Sequence, residues 1–306
     1  MKSKTKVEIL GKEYKMECEE KEEGISLIIK IFLCFHQSYT ILPPLCIPIQ
    51  CGAEGKTLIK EVLRDNIGEH ISGKNQEYCE LTAQYYAWKQ EICDYYGFCH
   101  YRRFFCFEEQ RKKTYLVFGK LKEKQKILLG TESMITELCQ QYEIILPYAV
   151  DMGVSVIEQY QSSLFHYGSD LKLFIQILKE KYPELKEAAK RYLSQNKQYF
   201  CNMFLMDRIH FQEYCTYLFG ILEEFDQRKI KHGSFQADRT NGYLGERFVG
   251  IYLEYAKEKG AKIKEVARMD IDCTLKKRLI YSIFPPESKR RFFFKKEIKR
   301  RKGKET

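Results

Sequence analysis

The chain has 306 residues, 44% hydrophobic and 31% charged, which excludes a disordered or fibrous polypeptide and leaves ample length for a core. Its formal charge of +10 is lopsided: ten Lys/Arg and two Glu lie in Lys289–Thr306, so about +8 sits there and about +2 on the rest, excluding a basic nucleic-acid-binding body. The twelve Cys show no CxxC or zinc spacing, no signal-peptide core opens the chain, and the longest apolar run, Ile25–Phe35, is broken by Lys30 and too short to span a bilayer.

Together these features predict a reduced, cytoplasmic protein. Residues 1–24 are charged, with a weak alternation of Val7, Ile9, Tyr14 and Met16 around Gly11; a small hairpin and a loose extension both fit. Ile25–Phe35 reads as a strand buried on both faces. Pro43, Pro44 and Pro48 then force an extended connection. Tyr78–Ile92 has the spacing of one amphipathic helix, with Asn75 as its N-cap. Asp94–Cys99 reads as a short buried strand, with His100-Tyr101-Arg102-Arg103 at its end.

Tyr115–Gly130 shows no clear period. Helices are expected at Glu132–Gln141, 154–161, 168–181, 184–195, Phe211–Phe225 and Gly242–Lys257, and strands at Glu143–Pro147 and Phe200–Met206. Strands alternating with helices predict an α/β fold with a mostly parallel central sheet flanked by helices. The division expected is an extension over 1–24, one domain over 25–270 with a helical C-terminal part, and a basic tail over 271–306.

No P-loop, GxGxxG after a strand, GxSxG or HExxH is present, so phosphate would be bound by side chains, helix N-termini or a metal. A His and two Arg at a strand end suggest an anion site, because ligands of open α/β sheets bind beyond the carboxyl ends of strands. If the chain stays extended there, His100 and Arg102 point one way and Tyr101 and Arg103 the other. The one D-x-D, Asp270-Ile271-Asp272, comes late, and solvated turn carboxylates are expected in preference to a metal pair. In the tail, Phe292, Phe293 and Phe294 interleave with basic residues. Attachment to anionic lipid headgroups and a solvated, frayed terminus both fit, and nucleic acid fits less well.

The phrases DNIGEHISGKNQEYCELTAQYYAWK and YYGFCHYRRFF resemble the signature of a bacterial family long catalogued as a domain of unknown function. Its members are found in capsular and exopolysaccharide gene clusters and are regarded as glycosyltransferases. The resemblance extends through IKIFLCFHQSY, PIQCGA, YEIILP, CNMFLM and RTNGYLGERFVGIYL, over about residues 26–256. It implies a GT-A-like fold, a nucleotide-sugar donor, and a polysaccharide or lipid-linked saccharide acceptor. The tail lies outside the resemblance; its own composition suits an anionic membrane surface over residues 289–304, which a lipid-linked acceptor would give a purpose, so the location expected is cytoplasmic or peripheral at the inner membrane face, with no specific nucleic acid.

On this resemblance the donor side comprises His36, Asp65, Asn66, Asn75, Glu80, Ala83, Trp88, His100, Tyr101, Arg102 and Arg103. Arg102 is the residue expected on the diphosphate. Trp88 also fits core packing, and Glu80 also fits a salt bridge or cap. His166, Asn202, Arg239 and Arg247 are placed on the acceptor or sugar. Glu246 is the expected proton acceptor with Asp170 behind it, although a helix-surface Glu246–Arg247 charge pair fits as well, and His166 also suits a structural role. His100-Tyr101-Arg102 stands where such folds carry D-x-D, so no cofactor is firmly expected and a Mn or Mg ion is in doubt. The rival from another class is a non-catalytic protein that binds anionic lipid or nucleic acid through its tail.

Overall fold

The computed structural model describes residues 3–9, 12–18, 27–36, 41–108, 112–118, 121–163, 166–230, 239–272, 283–284 and 288–301. Within 1–24, β1 (Ser3–Ile9) and β2 (Lys12–Cys18) pair antiparallel, so the hairpin is the form adopted. The main sheet contains β3 (Ile29–Phe35), β4 (Cys46–Gln50), β5 (Leu63–Arg64), β6 (Tyr95–His100), β7 (Arg103–Cys106), β8 (Thr114–Phe118) and β9 (Ile144–Pro147). A separate small ladder joins β10 (Val150–Asp151) to β11 (Lys197–Gln198). The main sheet is completed by β12 (Phe204–Asp207) and β13 (Ile263–Asp272). The helices are α1 (Asn75–Tyr78), α2 (Leu81–Gln90), α3 (Glu123–Lys126), α4 (Glu132–Gln141), α5 (Val156–Ser162), α6 (Gly168–Lys181), α7 (Lys186–Ser194), α8 (Arg208–Arg228), α9 (Thr240–Glu258) and α10 (Lys289–Arg301).

The α/β class holds, but the sheet is mixed, not mostly parallel. Strands β5, β4, β3 and β6 are parallel neighbours. Next, β12 runs antiparallel between β6 and β9. Strand β13 starts parallel to β9, and its second half pairs antiparallel with β7 and parallel with β8. A buried apolar run reads the same in either direction; the connection fixes polarity. Here β7 returns from β6 through a tight turn at Tyr101–Arg102, with His100 opposite Arg103. The His100–Arg103 segment is therefore not extended, and the alternation expected for its side chains fails.

Both faces of the sheet are covered. Phe32, Tyr96, Phe98, Phe204 and Met206 pack with α2 and α6–α9, whereas Ile31, Leu33, Cys99, Leu205 and Met269 pack on the other face with Ile135 and Cys139 of α4. The α7–α9 contact depends on Gly250, where an added Cβ would lie 1.9 Å from the Tyr192 ring.

Three further expectations change. The single helix over Tyr78–Ile92 is broken between α1 and α2, where Cys79 takes φ 53°. Asn75 is the clasp of that break and not an N-cap: its Nδ2 donates to the Cys79 carbonyl (2.7 Å) and to Thr82 Oγ1 (3.1 Å). Asp270 is not a turn carboxylate. It lies on β13, and both its oxygens accept from Arg268, at 2.7 and 3.1 Å. The tail is not frayed over 289–301: α10 is tied to the body by Lys289–Asp151 and Lys296–Glu158, with Phe292 buried. The patternless 115–130 stretch forms β8, α3 and a short 3-10 turn. Cys18 and Cys273 side chains and residues 302–306 lie outside the described set.

Candidate functional site

A cleft of about 310 Å³ opens at the carboxyl ends of β3, β4 and β6. Its floor is Cys34, Phe35 and Cys51; its walls are His36, His100 and Lys56 on the strand-end loops, Asn75, Gln76, Cys79 and Glu80 around the α1–α2 break, and Arg239 just before α9.

The loop after β4 is braced from below. The buried Asp65 carboxylate accepts from Gly52 N (2.6 Å), Ala53 N (2.9 Å) and Ser72 Oγ (2.5 Å). Gly52 has φ +63°, and a Cβ there would lie 2.5 Å from Asn75, so only glycine lets this turn meet α1. Gln50 holds the next part of the loop by donating to the Thr57 carbonyl and accepting from Ile59 N, both at 2.9 Å. These anchors bring Lys56 into the cleft.

The ends of β3 and β6 supply two imidazoles, His36 and His100. His100 Nδ1 accepts from Arg102 N at 3.4 Å, and the His36 and His100 rings each contact Tyr101, at 5.3 and 4.3 Å. Burial, then the charges of Arg103, Arg102, His36 and Arg239, press His100 down to about 2. Burial, then Lys56, Arg102 and Arg239, lower His36 as well. Burial does most to keep both imidazoles neutral, and the cations that add to it set up a field that favours an anion. The Cys51 thiol, raised well above the usual range by its hydrogen bond with Cys34 and by burial, adds no charge.

On the opposite wall, Arg239 Nε donates to Cys79 Sγ at 3.2 Å, and its guanidinium lies 5.7 Å from the Tyr243 ring centre. Glu80 accepts from Asn202 Nδ2 at 2.9 Å, and burial raises its carboxyl against that bond's pull. Asn202 also donates to the Gly242 carbonyl (3.2 Å). Cys201 and Asn202 both adopt left-handed backbone, with φ 76° and 49°. Glu246 fixes this turn: Oε1 accepts from Cys201 N at 2.8 Å, and Oε2 accepts from Arg247 at 2.9 Å.

The site residues expected from sequence therefore divide. His36, Asn75, Glu80, His100 and Arg239 line the cleft. Asp65, Asn202 and Glu246 stand behind it as braces, and Asn66 follows Asp65, half-buried. Tyr101 is buried; Arg102 is exposed in the turn with its guanidinium 4.8 Å from the Tyr101 ring centre, at the rim and not in the wall; Arg103 is half-buried at the start of β7.

Two expected donor residues lie elsewhere. Ala83 is fully buried in the core, and Trp88, half-buried at the core's margin, stacks on Phe219 at 5.6 Å. Glu246–Arg247 is not a helix-surface pair, since Arg247 is 1% exposed and also donates to Gln159 Oε1 (2.8 Å). His166 is packed between Tyr160 and Tyr243, each at 4.3 Å, and Asp170 is buried and accepts from Thr240 Oγ1 at 3.3 Å. Lys56, Gln76 and Cys79 were not anticipated. The strand-end rule that points to His100 points equally to Lys56, in the loop that follows β4.

Among the described residues no three His, Cys, Asp or Glu stand close enough to hold a metal, and no helix is long and apolar enough to cross a membrane. The cleft lining carries one carboxyl, Glu80, and two cations, Lys56 and Arg239.

The fold and the cleft define a mixed α/β domain with a cationic pocket at the carboxyl edge of its sheet. The model of the domain of unknown function DUF4422 matches residues 30–258, and the chain belongs to that family. A solved apo structure of WbbM, a bifunctional glycosyltransferase, is similar at 27% identity and a TM-score of 0.75. That similarity covers 80% of this chain and 45% of the WbbM chain, so the present chain spans less than half the length of that relative. No curated protein matches the sequence.

Proposed function

We propose that this chain is a glycosyltransferase that moves a sugar from a nucleotide-sugar donor to a saccharide acceptor, a capsular or exopolysaccharide precursor. The observation that carries the reading is the convergence of Lys56 and Arg239, with Arg102 and Arg103 nearby, on two neutral imidazoles in one strand-end cleft. The likeness to a bifunctional glycosyltransferase supports it. Breaking a glycosidic bond to a nucleoside diphosphate builds negative charge on the leaving phosphate. Fixed ammonium and guanidinium groups stabilise that charge without rearranging as it forms.

His100 and His36, held neutral, offer hydrogen bonds to the donor. Glu80 is the carboxyl at the cleft, and its raised pKa suits a group that hydrogen-bonds sugar hydroxyls or receives the acceptor's proton. Glu246 acts through the Cys201–Asn202 turn that positions Glu80, while His166 packs against Tyr243 and Asp170 holds Thr240, the residue after Arg239.

Calorimetric titration with nucleoside diphosphates and product analysis with a panel of nucleotide sugars test the reading; no binding by any diphosphate would count decisively against it. Arg239→Ala should weaken diphosphate binding by roughly 10- to 100-fold, the worth of one charge-assisted hydrogen bond, with the fold intact. Arg102→Ala should weaken it less, as fits a rim residue. A chain lacking 289–306 should keep turnover on a soluble acceptor; the non-catalytic alternative requires it to lose its only activity.

A further inference from the structure

Helix α10 carries eight Lys/Arg and one Glu in thirteen residues, around Phe292-Phe293-Phe294. It docks through one stripe at i, i+3 and i+7: Lys289 Nζ on Asp151 Oδ2 (3.0 Å), Phe292 buried, and Lys296 Nζ on Glu158 Oε1 (2.7 Å). That stripe decides what faces outward. Phe293 and Phe294 are 49% and 52% exposed, Arg290 is exposed, and the Phe294 ring stacks on Phe284, next to the exposed Ile283.

The position of this helix matters as much as its composition. Because β12 is antiparallel to both β6 and β9, strand β9 ends at the same edge of the sheet as β6, where the cleft opens. Asp151 and Gly153, the seat of Lys289, follow β9 directly. Strand β10 then pairs with β11, just ahead of the Cys201–Asn202 turn that holds Glu80. The loops after β4 and β5 expose Leu58, Ile59 and Ile67 along this edge. The opposite edge exposes Ile28, Ile92 and Ile209, but beside the balanced pairs Lys30–Glu91 and Arg208–Asp94. Apolar exposure does not distinguish the two edges; the cationic helix α10 does.

We infer that α10 seats the carboxyl edge of the sheet on an anionic lipid bilayer. Phe293 and Phe294 enter the headgroup boundary, the cationic helix with Arg290 outward binds anionic headgroups, and the cleft opens toward the lipid. The docking stands independently of the transfer reading. Its consequence, an acceptor presented from the membrane, rests on that reading.

The test uses the full chain sedimented with vesicles of phosphatidylcholine alone, or with roughly one third phosphatidylglycerol, at low and high salt. Binding is expected to the anionic vesicles only, and to fall as salt rises. The double change Phe293→Ser/Phe294→Ser should lower vesicle affinity about tenfold or more, and Arg290→Glu should also lower it. Both should leave melting temperature and nucleoside-diphosphate binding as in the unaltered chain. Equal binding to neutral vesicles, no binding to anionic ones, or tighter retention on an RNA or DNA duplex at equal salt would each overturn the inference. Diphosphate binding retained alongside such a result removes the docking and spares the transfer reading.

Discussion

Asp65 offers the sharpest test of how the cleft is built, because its carboxylate is fully buried and accepts from three donors, Gly52 N, Ala53 N and Ser72 Oγ. In Asp65→Asn the amide oxygen can keep the Ala53 and Ser72 bonds, which share Oδ1, but Nδ2 then faces the Gly52 N–H with no acceptor between them. One charge-assisted bond, about 1.5–3 kcal/mol, is lost, and a buried donor left without a partner adds about 1–3 kcal/mol. Neutralising the two remaining bonds weakens them further, so a total of about 3–5 kcal/mol is expected. At about 2–4 °C per kcal/mol for a domain of this size, melting followed by circular dichroism should fall by roughly 6–20 °C. Diphosphate affinity measured well below the new midpoint should also fall, because the Gly52–Lys56 turn loses its brace. A melting temperature within about 2 °C of the unaltered chain would refute the claim that Asp65 organises this loop.

Other changes separate packing from chemistry. Gly250→Ala should cost about 3 kcal/mol or more in denaturant unfolding, because its Cβ would overlap the Tyr192 ring where α7 meets α9; a neutral result would mean the two helices can part freely. Trp88→Ala should cost about 3 kcal/mol or more through the lost Phe219 stack, yet leave diphosphate affinity alone, and a large change in affinity would return Trp88 to the site. His210 is pulled down by burial but raised overall, above its ordinary 6.5, by the hydrogen bond and charge of Asp207. A raised folded-state pKa gives stability that is full below the unfolded value and lost as pH rises through the folded one. The stability gap between the unaltered chain and His210→Gln should therefore be full below about 6.5, the unfolded value, and shrink as the pH rises above it. A gap constant through that rise would mean that Asp207 does not hold the imidazolium.

Periodicity alone located the elements whose burial is one-sided or continuous. The helices at 132–141 and 168–181, the apolar strand before His36 and the run before His100 all rest on local pattern, which burial enforces residue by residue. Composition concentrated the charge in the last eighteen residues, and the strand-end rule drew His100 into the site.

What local pattern could not carry was direction and rotation. Whether FCNMFLM enters the sheet parallel or antiparallel is set by where its connection begins, and the apolar run is the same either way. The left-handed turn at Cys79 sets Trp88 against Phe219 at the margin of the core and leaves Glu80 at the cleft, and the clasp that stabilises it, Asn75, resembles an ordinary cap in sequence. Asp270 carries no mark that Arg268 will occupy both its oxygens. Sequence determined which segments are buried and which end of the chain is cationic, because these follow from side-chain chemistry at short range. Tertiary structure decided that β3, β4, β6 and the Arg239 turn meet at one edge, because that depends on strand order and crossover, which bring residues two hundred positions apart into one cleft.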